Sequence, residues 1–262
     1  MDALVTIPGA EPWSSPGSGD RGGTGVVLVH GFTANPIAFR PLGQRLAAEG
    51  YAVEVPLPPG HGTSHRDLAR TRYADWFAAV QRATERLAAT CTEVVLVGHS
   101  MGGTLALDLA SRRQDLVSGC AVINPQVLDP EQPLAKVARI LQYLVPFVPR
   151  DLAGLPTNDI ALPGVEEGCY PMVSARAAQS LIRELPRVRA QLLDLEQPLL
   201  VVYSPDDHTV PARSSEELLD LVGSSQVTRL VTDRSYHVPM LDYDARRLEK
   251  TVLYFVGEVA DG

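Results

Sequence analysis

The sequence predicts an α/β fold: a doubly wound, mostly parallel sheet carrying a helical cap insertion. Three observations predict it. Short apolar runs recur at residues 25–30, 94–97 and 198–204, the composition of parallel strands buried on both faces. Amphipathic helical patterns alternate with these runs. The second run ends in Gly98-His99-Ser100-Met101-Gly102 and passes straight into a helical pattern, giving strand, sharp turn and helix with a serine at the turn.

The elements follow in order. Residues 25–30 form a strand, and Gly31-Phe32-Thr33 a loop. Asn35 caps a helix with Pro36 in its first turn; the helix runs through Phe39, Leu42 and Leu46, and Gly50 stops it. Residues 51–55 are a strand, and 56–62 a proline-rich loop ending Pro-Gly-His-Gly. A helix follows, with Tyr73, Trp76, Phe77, Val80, Thr84 and Leu87 on one face. The serine-bearing strand and its helix come next, then a strand at 116–123.

After Asn124 the rhythm breaks. No strand is predicted between Pro125 and about Pro198. Short amphipathic helices are predicted at 133–145 and 174–185 among scattered prolines. This stretch begins at the C-terminal end of a strand, where α/β folds build their sites. Residues 125–195 are therefore expected to form a cap over the site, with 1–124 and 196–262 as the core. Alternation resumes with a strand at 198–204 and a helix capped by Ser214 or Ser215. A strand at 226–231, a loop at 235–237 and a last helix at about 244–259 complete the chain.

Composition narrows the function. The chain has 262 residues, 45% of them hydrophobic, enough for one large domain. Its net charge of -8, without a block of like charges, argues against nucleic acid or an anionic membrane surface as partner. Cys91, Cys120 and Cys169 lack paired spacing and suggest a reducing compartment. Residues 1–25 lack the basic and apolar regions of a signal peptide. No apolar run approaches the roughly 18 residues of a transmembrane helix. A soluble, cytoplasmic protein is expected.

A serine hydroxyl needs a base within hydrogen-bond reach and an acid to orient that base. The strand–turn–helix context makes Ser100 the expected nucleophile, with Gly98 and Gly102 removing side chains that would clash at the turn. His237, in the loop before the last helix, is the expected base; His208 is the alternative and is read as a loop residue. Asp207, after the strand at 198–204, is the favoured acid, with Asp206 second and Asp129 a remote third. The Met101 and Phe32 N–H groups are the expected oxyanion donors. His30, His61 and His99 are read as structural. No His/Cys/Asp/Glu group has metal-ligand spacing, so neither metal nor other cofactor is expected.

With these pieces placed, the chain resembles the α/β-hydrolase superfamily over nearly its whole length. More narrowly it is similar to the bacterial monoacylglycerol lipases and related small carboxylesterases. The residues that carry this are 28–33 (Leu-Val-His-Gly-Phe-Thr), 60–63, 98–105, 207–211 and, most discriminating, 235–244 (Ser-Tyr-His-Val-Pro-Met-Leu-Asp-Tyr-Asp). The resemblance implies Ser100, Asp207 and His237 as triad, Phe32 and Met101 as oxyanion donors, and a mobile lid at 125–195. It also implies a substrate-binding glutamate in the lid for the glycerol hydroxyls. Glu167 is the candidate, in the stretch from Asn158 to Tyr170, and Glu166 lies one residue out of register. The expected substrate is a monoacylglycerol, cleaved through an acyl-enzyme to glycerol and fatty acid, with transient lipid contact through the lid and no membrane insertion. A general carboxylesterase on shorter acyl esters is the nearest rival. A non-catalytic ligand-binding protein on the same scaffold is a distant one, since all three triad residues are present.

Overall fold

The computed structural model describes residues 6–130 and 145–262. Its main sheet has seven strands in the order β1 (Trp13–Ser15), β3 (Ala52–Val55), β2 (Thr24–Val29), β4 (Glu93–His99), β5 (Gly119–Ile123), β8 (Leu199–Tyr203) and β9 (Val227–Val231). All neighbours pair in parallel except β1, which runs antiparallel to β3.

Both faces of the sheet are covered, which is why its strands read as unbroken apolar runs. On β4, Val95 and Val97 face the layer of α1 (Arg40–Ala48) and the C-terminal helix α7 (Ala245–Asp261), meeting Leu42, Leu46, Leu248 and Val252. Val94 and Leu96 face the opposite layer. There α3 (Tyr73–Ala88) and α4 (Met101–Arg112) bring Trp76, Val80, Leu105 and Leu109. The two layers hold the central strands rigidly, and the strands' C-terminal ends carry Ser100, Asn124 and the loops with Asp207 and His237.

The structure corrects several expectations. The N-terminal lead-in contains β1, too short to show alternation; its Trp13 ring packs on Gly43, where an added Cβ would come within 2.9 Å. A short helix, α2 (His65–Leu68), opens on Ser64, whose Oγ accepts from Asp67 N at 3.2 Å. Asn35 does cap a helical turn, accepting from Ile37 N at 3.0 Å, but Pro36–Phe39 is a 3-10 turn and α1 starts only at Arg40. Helix α6 (Arg213–Leu221) begins after Ala212 rather than on a serine cap. Ser214 is used otherwise: its hydroxyl accepts from Val127 N and donates to Pro125 O, both at 2.8 Å.

In the 125–195 segment the helix expected at 133–145 lies outside the described residues but for its last position. Two short strands that sequence periodicity did not reveal, β6 (Phe147–Pro149) and β7 (Met172–Ser174), form an antiparallel pair. Helix α5 (Ala175–Ala190) starts where expected, with Ser174 as its cap, but continues through Pro186. A proline interrupts the hydrogen-bond ladder; burial of Leu185 and Val188 in the α4 layer offsets that loss. No helix among the described residues is long and apolar enough to cross a membrane.

Candidate active site

Ser100 sits between β4 and α4 with φ 55 and ψ -120, a left-handed conformation that strains any residue but glycine. Sterics hold it there. A Cβ on Gly98 would lie 2.2 Å from Gly102 O, and one on Gly102 would lie 2.0 Å from Val29 O. Two glycines thus allow the chain to fold back on itself, and the backbone turns Ser100 out of the sheet at its C-terminal edge. Met101 is the first residue of α4, so its N–H has no intrahelical partner. Across the site, a Cβ on Gly31 would come within 3.2 Å of Ser100 Cβ. The Phe32 N–H, next along that loop, meets no backbone acceptor among the described residues.

His237 is 3% exposed. Its Nδ1 donates to Asp207 Oδ2 at 2.7 Å, and the Asp207 side chain is wholly buried. That bond fixes the tautomer, leaving Nε2 as an acceptor. The other Asp207 oxygen accepts from Thr209 N at 2.8 Å and Val210 N at 2.7 Å, so the carboxylate is oriented by its own turn. Asp206 is exposed, and Asp129 lies on the wall of the cavity described below. Burial pushes the His237 imidazolium down, yet the charge and hydrogen bond of Asp207, with Glu167 and Asp159 behind them, leave its pKa raised.

The loop carrying His237 is pinned at several points. Its carbonyl accepts from His99 Nε2 and from Asn124 Nδ2, both at 2.8 Å. Asn124, at the end of β5, has φ 45, and its Oδ1 accepts from Ser204 N at 2.9 Å. One asparagine therefore ties the ends of β5 and β8 to the loop that carries His237. Asp242 accepts from Tyr236 N at 3.1 Å and also from Ala161 N and Leu162 N, at 2.7 and 2.9 Å.

His30, His61 and His99 are buried and neutral. Burial lowers His30 to about 4, although Nδ1 donates to Gly31 O at 2.9 Å. Burial, then repulsion from His237, lowers His99 to about 3. His61 is also pushed well down, first by burial and then by His30, and packs edge-on against Trp76 with centroids 5.5 Å apart. His208 does not line the cavity that holds Ser100, and its Nδ1 donates to Asp159 Oδ1 at 2.8 Å.

The 125–195 segment meets the same loops. Arg150 is 5% exposed, and its Nη1 donates to Thr33 Oγ1 at 2.6 Å, on a residue with φ 64 directly after Phe32. Tyr170 N donates to Thr33 O at 3.2 Å, and the Tyr170 hydroxyl joins Gly60 O to Thr63 N. Glu167 is buried, and its Oε2 accepts from the Cys169 thiol at 3.0 Å. Phe32, Ser100, His237 and Glu167 line one cavity, whose walls are otherwise mainly apolar, with Leu128, Val148, Val173, Leu181 and Ile182. Arg150, Gln126 and Gln179 add polar groups to its lining.

Sequence reasoning missed Asn124, Arg150 and Asp159 as parts of this site. The sequence also gave no metal-ligand spacing, whereas the fold brings Asp159, Asp207 and His237 together, with one ligand-type atom of each within 4.8 Å of the others.

The family described as serine aminopeptidase, S33, matches residues 24–244. The chain is 32% identical over 256 residues, 97% of each protein, to a thermostable monoacylglycerol lipase of Bacillus sp. (strain H-257). It is 27% identical over 238 residues to a carboxylesterase of Bacillus subtilis (strain 168), covering 90% of this chain and 93% of that protein. A solved structure from work on LipS and LipT, two metagenome-derived lipolytic enzymes, superposes with a TM-score of 0.90 at 30% identity, over 97% of this chain and 100% of that one.

Proposed function

The chain belongs to the serine aminopeptidase S33 family of α/β-hydrolases, and on that premise we propose that it is a serine ester hydrolase that cleaves monoacylglycerols to glycerol and fatty acid. The observation that carries this reading is one cavity, largely apolar, that holds Ser100, the Asp207-oriented His237 and the buried carboxylate Glu167. An apolar cavity suits one acyl chain, and a polar group at its lining suits a small hydroxylated head. The 32% identity to a monoacylglycerol lipase over 97% of each chain supports the same substrate class.

The proposed chemistry runs through this chain's own residues. Ser100 Oγ attacks the ester carbonyl carbon while His237 Nε2 takes its proton. Asp207 stabilises the imidazolium that forms. The Phe32 and Met101 N–H groups hold the oxyanion, each contributing about 2.7–4 kcal/mol to barrier lowering in comparable sites. The tetrahedral intermediate collapses, and His237 returns the proton to the departing glycerol oxygen. Water then attacks the acyl-enzyme by the same route, releasing the fatty acid and restoring Ser100. Glu167 accepts hydrogen bonds from the glycerol hydroxyls. Residues 125–195 act as a cap that excludes water and touches lipid transiently, and the protein works in the cytoplasm without membrane insertion.

The test is hydrolysis of mono-, di- and triacylglycerols and p-nitrophenyl esters across acyl lengths. A kcat/KM maximum on monoacylglycerols supports the reading. A maximum on short simple esters, with no gain from glycerol, makes the protein a carboxylesterase, the second reading favoured by its Bacillus subtilis relative. Ser100→Ala is expected to lower kcat by about a millionfold with the fold kept; undiminished turnover overturns the nucleophile assignment.

A further inference from the structure

Asp159 lies in the segment between β6 and β7, far in sequence from the residues at the reaction centre, yet its carboxylate is 4% exposed and fully engaged. Oδ1 accepts from His208 Nδ1 at 2.8 Å. Oδ2 accepts from His208 N at 3.1 Å and Thr209 Oγ1 at 2.9 Å. Its partners are thus the two residues that follow Asp207. One oxygen of Asp159, one of Asp207 and a ring nitrogen of His237 lie within 4.8 Å of one another. The placement is rigid, because Asp242 grips the next two residues but one, Ala161 and Leu162, with the same carboxylate that holds Tyr236 N.

We propose that Asp159 is a positioning residue for the reaction: a second carboxylate, supplied by the insertion, that holds the 207–209 turn in register and adds its field to the imidazolium of His237. This rests on the serine-hydrolase reading above. The physical case has two parts. A turn that must present Asp207 to His237 gains orientation from an anchor outside itself. A buried negative charge within about 4–6 Å of a histidine favours its protonated form. The groups facing His237 are Asp207 from the turn after β8, Asp159 and Glu167 from the insertion, and the neutral His99 ring from β4, with centroids 4.6 Å apart. Asp242, in its own loop, is occupied by four backbone N–H groups. Asp206 is exposed. Apart from Asp207 itself, Asp159 alone among these both bonds to the turn and acts on His237.

The experiment measures kcat and KM against pH for a soluble p-nitrophenyl ester, in the intact protein and in Asp159→Asn, Asp159→Glu and His208→Gln. A second readout, NMR titration of the His237 ring in a Ser100→Ala background with and without Asp159→Asn, needs no turnover. Asp159→Asn is expected to lower kcat about ten- to a hundredfold with little change in KM. It should also move the acid limb of kcat/KM, and the NMR midpoint of His237, down by about one pH unit. His208→Gln keeps the charge, so the limb stays in place while kcat falls. If Asp159→Asn does not fold, Asp159→Glu decides: charge retained and geometry lost should cost kcat without moving the limb. A limb and NMR midpoint unmoved in Asp159→Asn, or moved equally in His208→Gln or Asp159→Glu, overturns the proposal. If the intact protein turns over no ester at all, the hydrolase reading fails, while the NMR titration still decides whether Asp159 acts on His237.

Discussion

Arg187 donates two parallel hydrogen bonds to Asp108, each 2.8 Å long. Asp108 is wholly buried on α4, the helix that follows Ser100, and Arg187 stands on α5, in the second half of the 125–195 segment. The Tyr73 hydroxyl donates to the same carboxylate at 2.8 Å. Three donors from two other helices thus converge on one anion, and the bidentate geometry is one that only arginine supplies.

Removing the anion strands those donors. Asp108→Ala is expected to cost about 1.5–3 kcal/mol, since it leaves the buried Tyr73 hydroxyl without its acceptor and breaks the charge-assisted bonds of the half-exposed Arg187. Arg187→Lys, which keeps charge and loses the fork, should cost about 1–2 kcal/mol. Urea unfolding of both variants checks the order; equal losses would remove the role assigned to the bidentate geometry.

Asn124 combines a left-handed backbone with three side-chain hydrogen bonds, to Ser204 N, His237 O and Tyr236 O. Asn124→Gly relieves the backbone and loses the bonds. Asn124→Ala loses the bonds and adds strain of about 1 kcal/mol. The alanine variant should therefore be the less stable of the two, by about that amount. Both should lose kcat, because the loop carrying His237 is no longer tied to β5. Paired denaturation and kinetic measurements test this, and a more stable alanine variant would contradict it.

Acid pH should weaken the fold in a definite window. His30 and His99 titrate at about 4 and about 3 when folded, below the ordinary 6.5. Between those values the unfolded chain takes up protons that the folded one refuses, so stability falls as pH drops from about 6.5 toward about 4. The slope is about 1.4 kcal/mol per pH unit for each histidine. His237 acts with the opposite sign: its raised pKa contributes stability below 6.5 that is lost as pH rises through its folded value. Unfolding midpoints across this range measure the net slope, and a flat profile would exclude the neutral buried histidines. Since the base must be neutral, kcat/KM should fall on the acid side with its midpoint above 6.5.

Gly31 is set by space. An added Cβ would stand 3.2 Å from Ser100 Cβ and 3.3 Å from His99 Nδ1. Gly31→Ala should push the Phe32 amide out of line and lower kcat by about 10²–10³, with KM nearly unchanged. Gly102→Ala, which drives a Cβ to 2.0 Å from Val29 O, should fail to give folded protein at all. Steady-state kinetics and circular dichroism distinguish the two effects.

Glu167→Gln separates head-group recognition from bond cleavage. The expectation is a KM for monoacylglycerols raised about tenfold, with turnover of p-nitrophenyl esters little changed. Equal effects on both substrates would place Glu167 in the structure rather than at the glycerol.

The layered sheet was legible because its central strands alternate between two apolar layers, and the glycine pattern around Ser100 admits few other turns. Chain order singled out Asp207 and His237, and the fold brings the two into contact. What escaped was information carried across long sequence gaps. Nothing local in Pro149 or Met172 shows that β6 and β7 pair. Nothing near Asp159 shows that it reaches His208 and Thr209, because its partners are chosen by tertiary packing. Pro186 looked like a helix end since local backbone chemistry says so, whereas burial of Val188 and the Asp108 anchor carry the helix through it.

The bonds from Arg150 to Thr33 and from Asp159 to the Asp207 turn also bear on recombination. A cap that only covered a cavity could be exchanged between relatives to change acyl preference, as an interchangeable module. Here the 125–195 segment supplies partners to the loop after Phe32 and to the turn after Asp207. A chimera carrying a foreign segment would keep Ser100, Asp207 and His237 and have a loosened frame around them, unless Thr33, His208 and Thr209 were exchanged together with it.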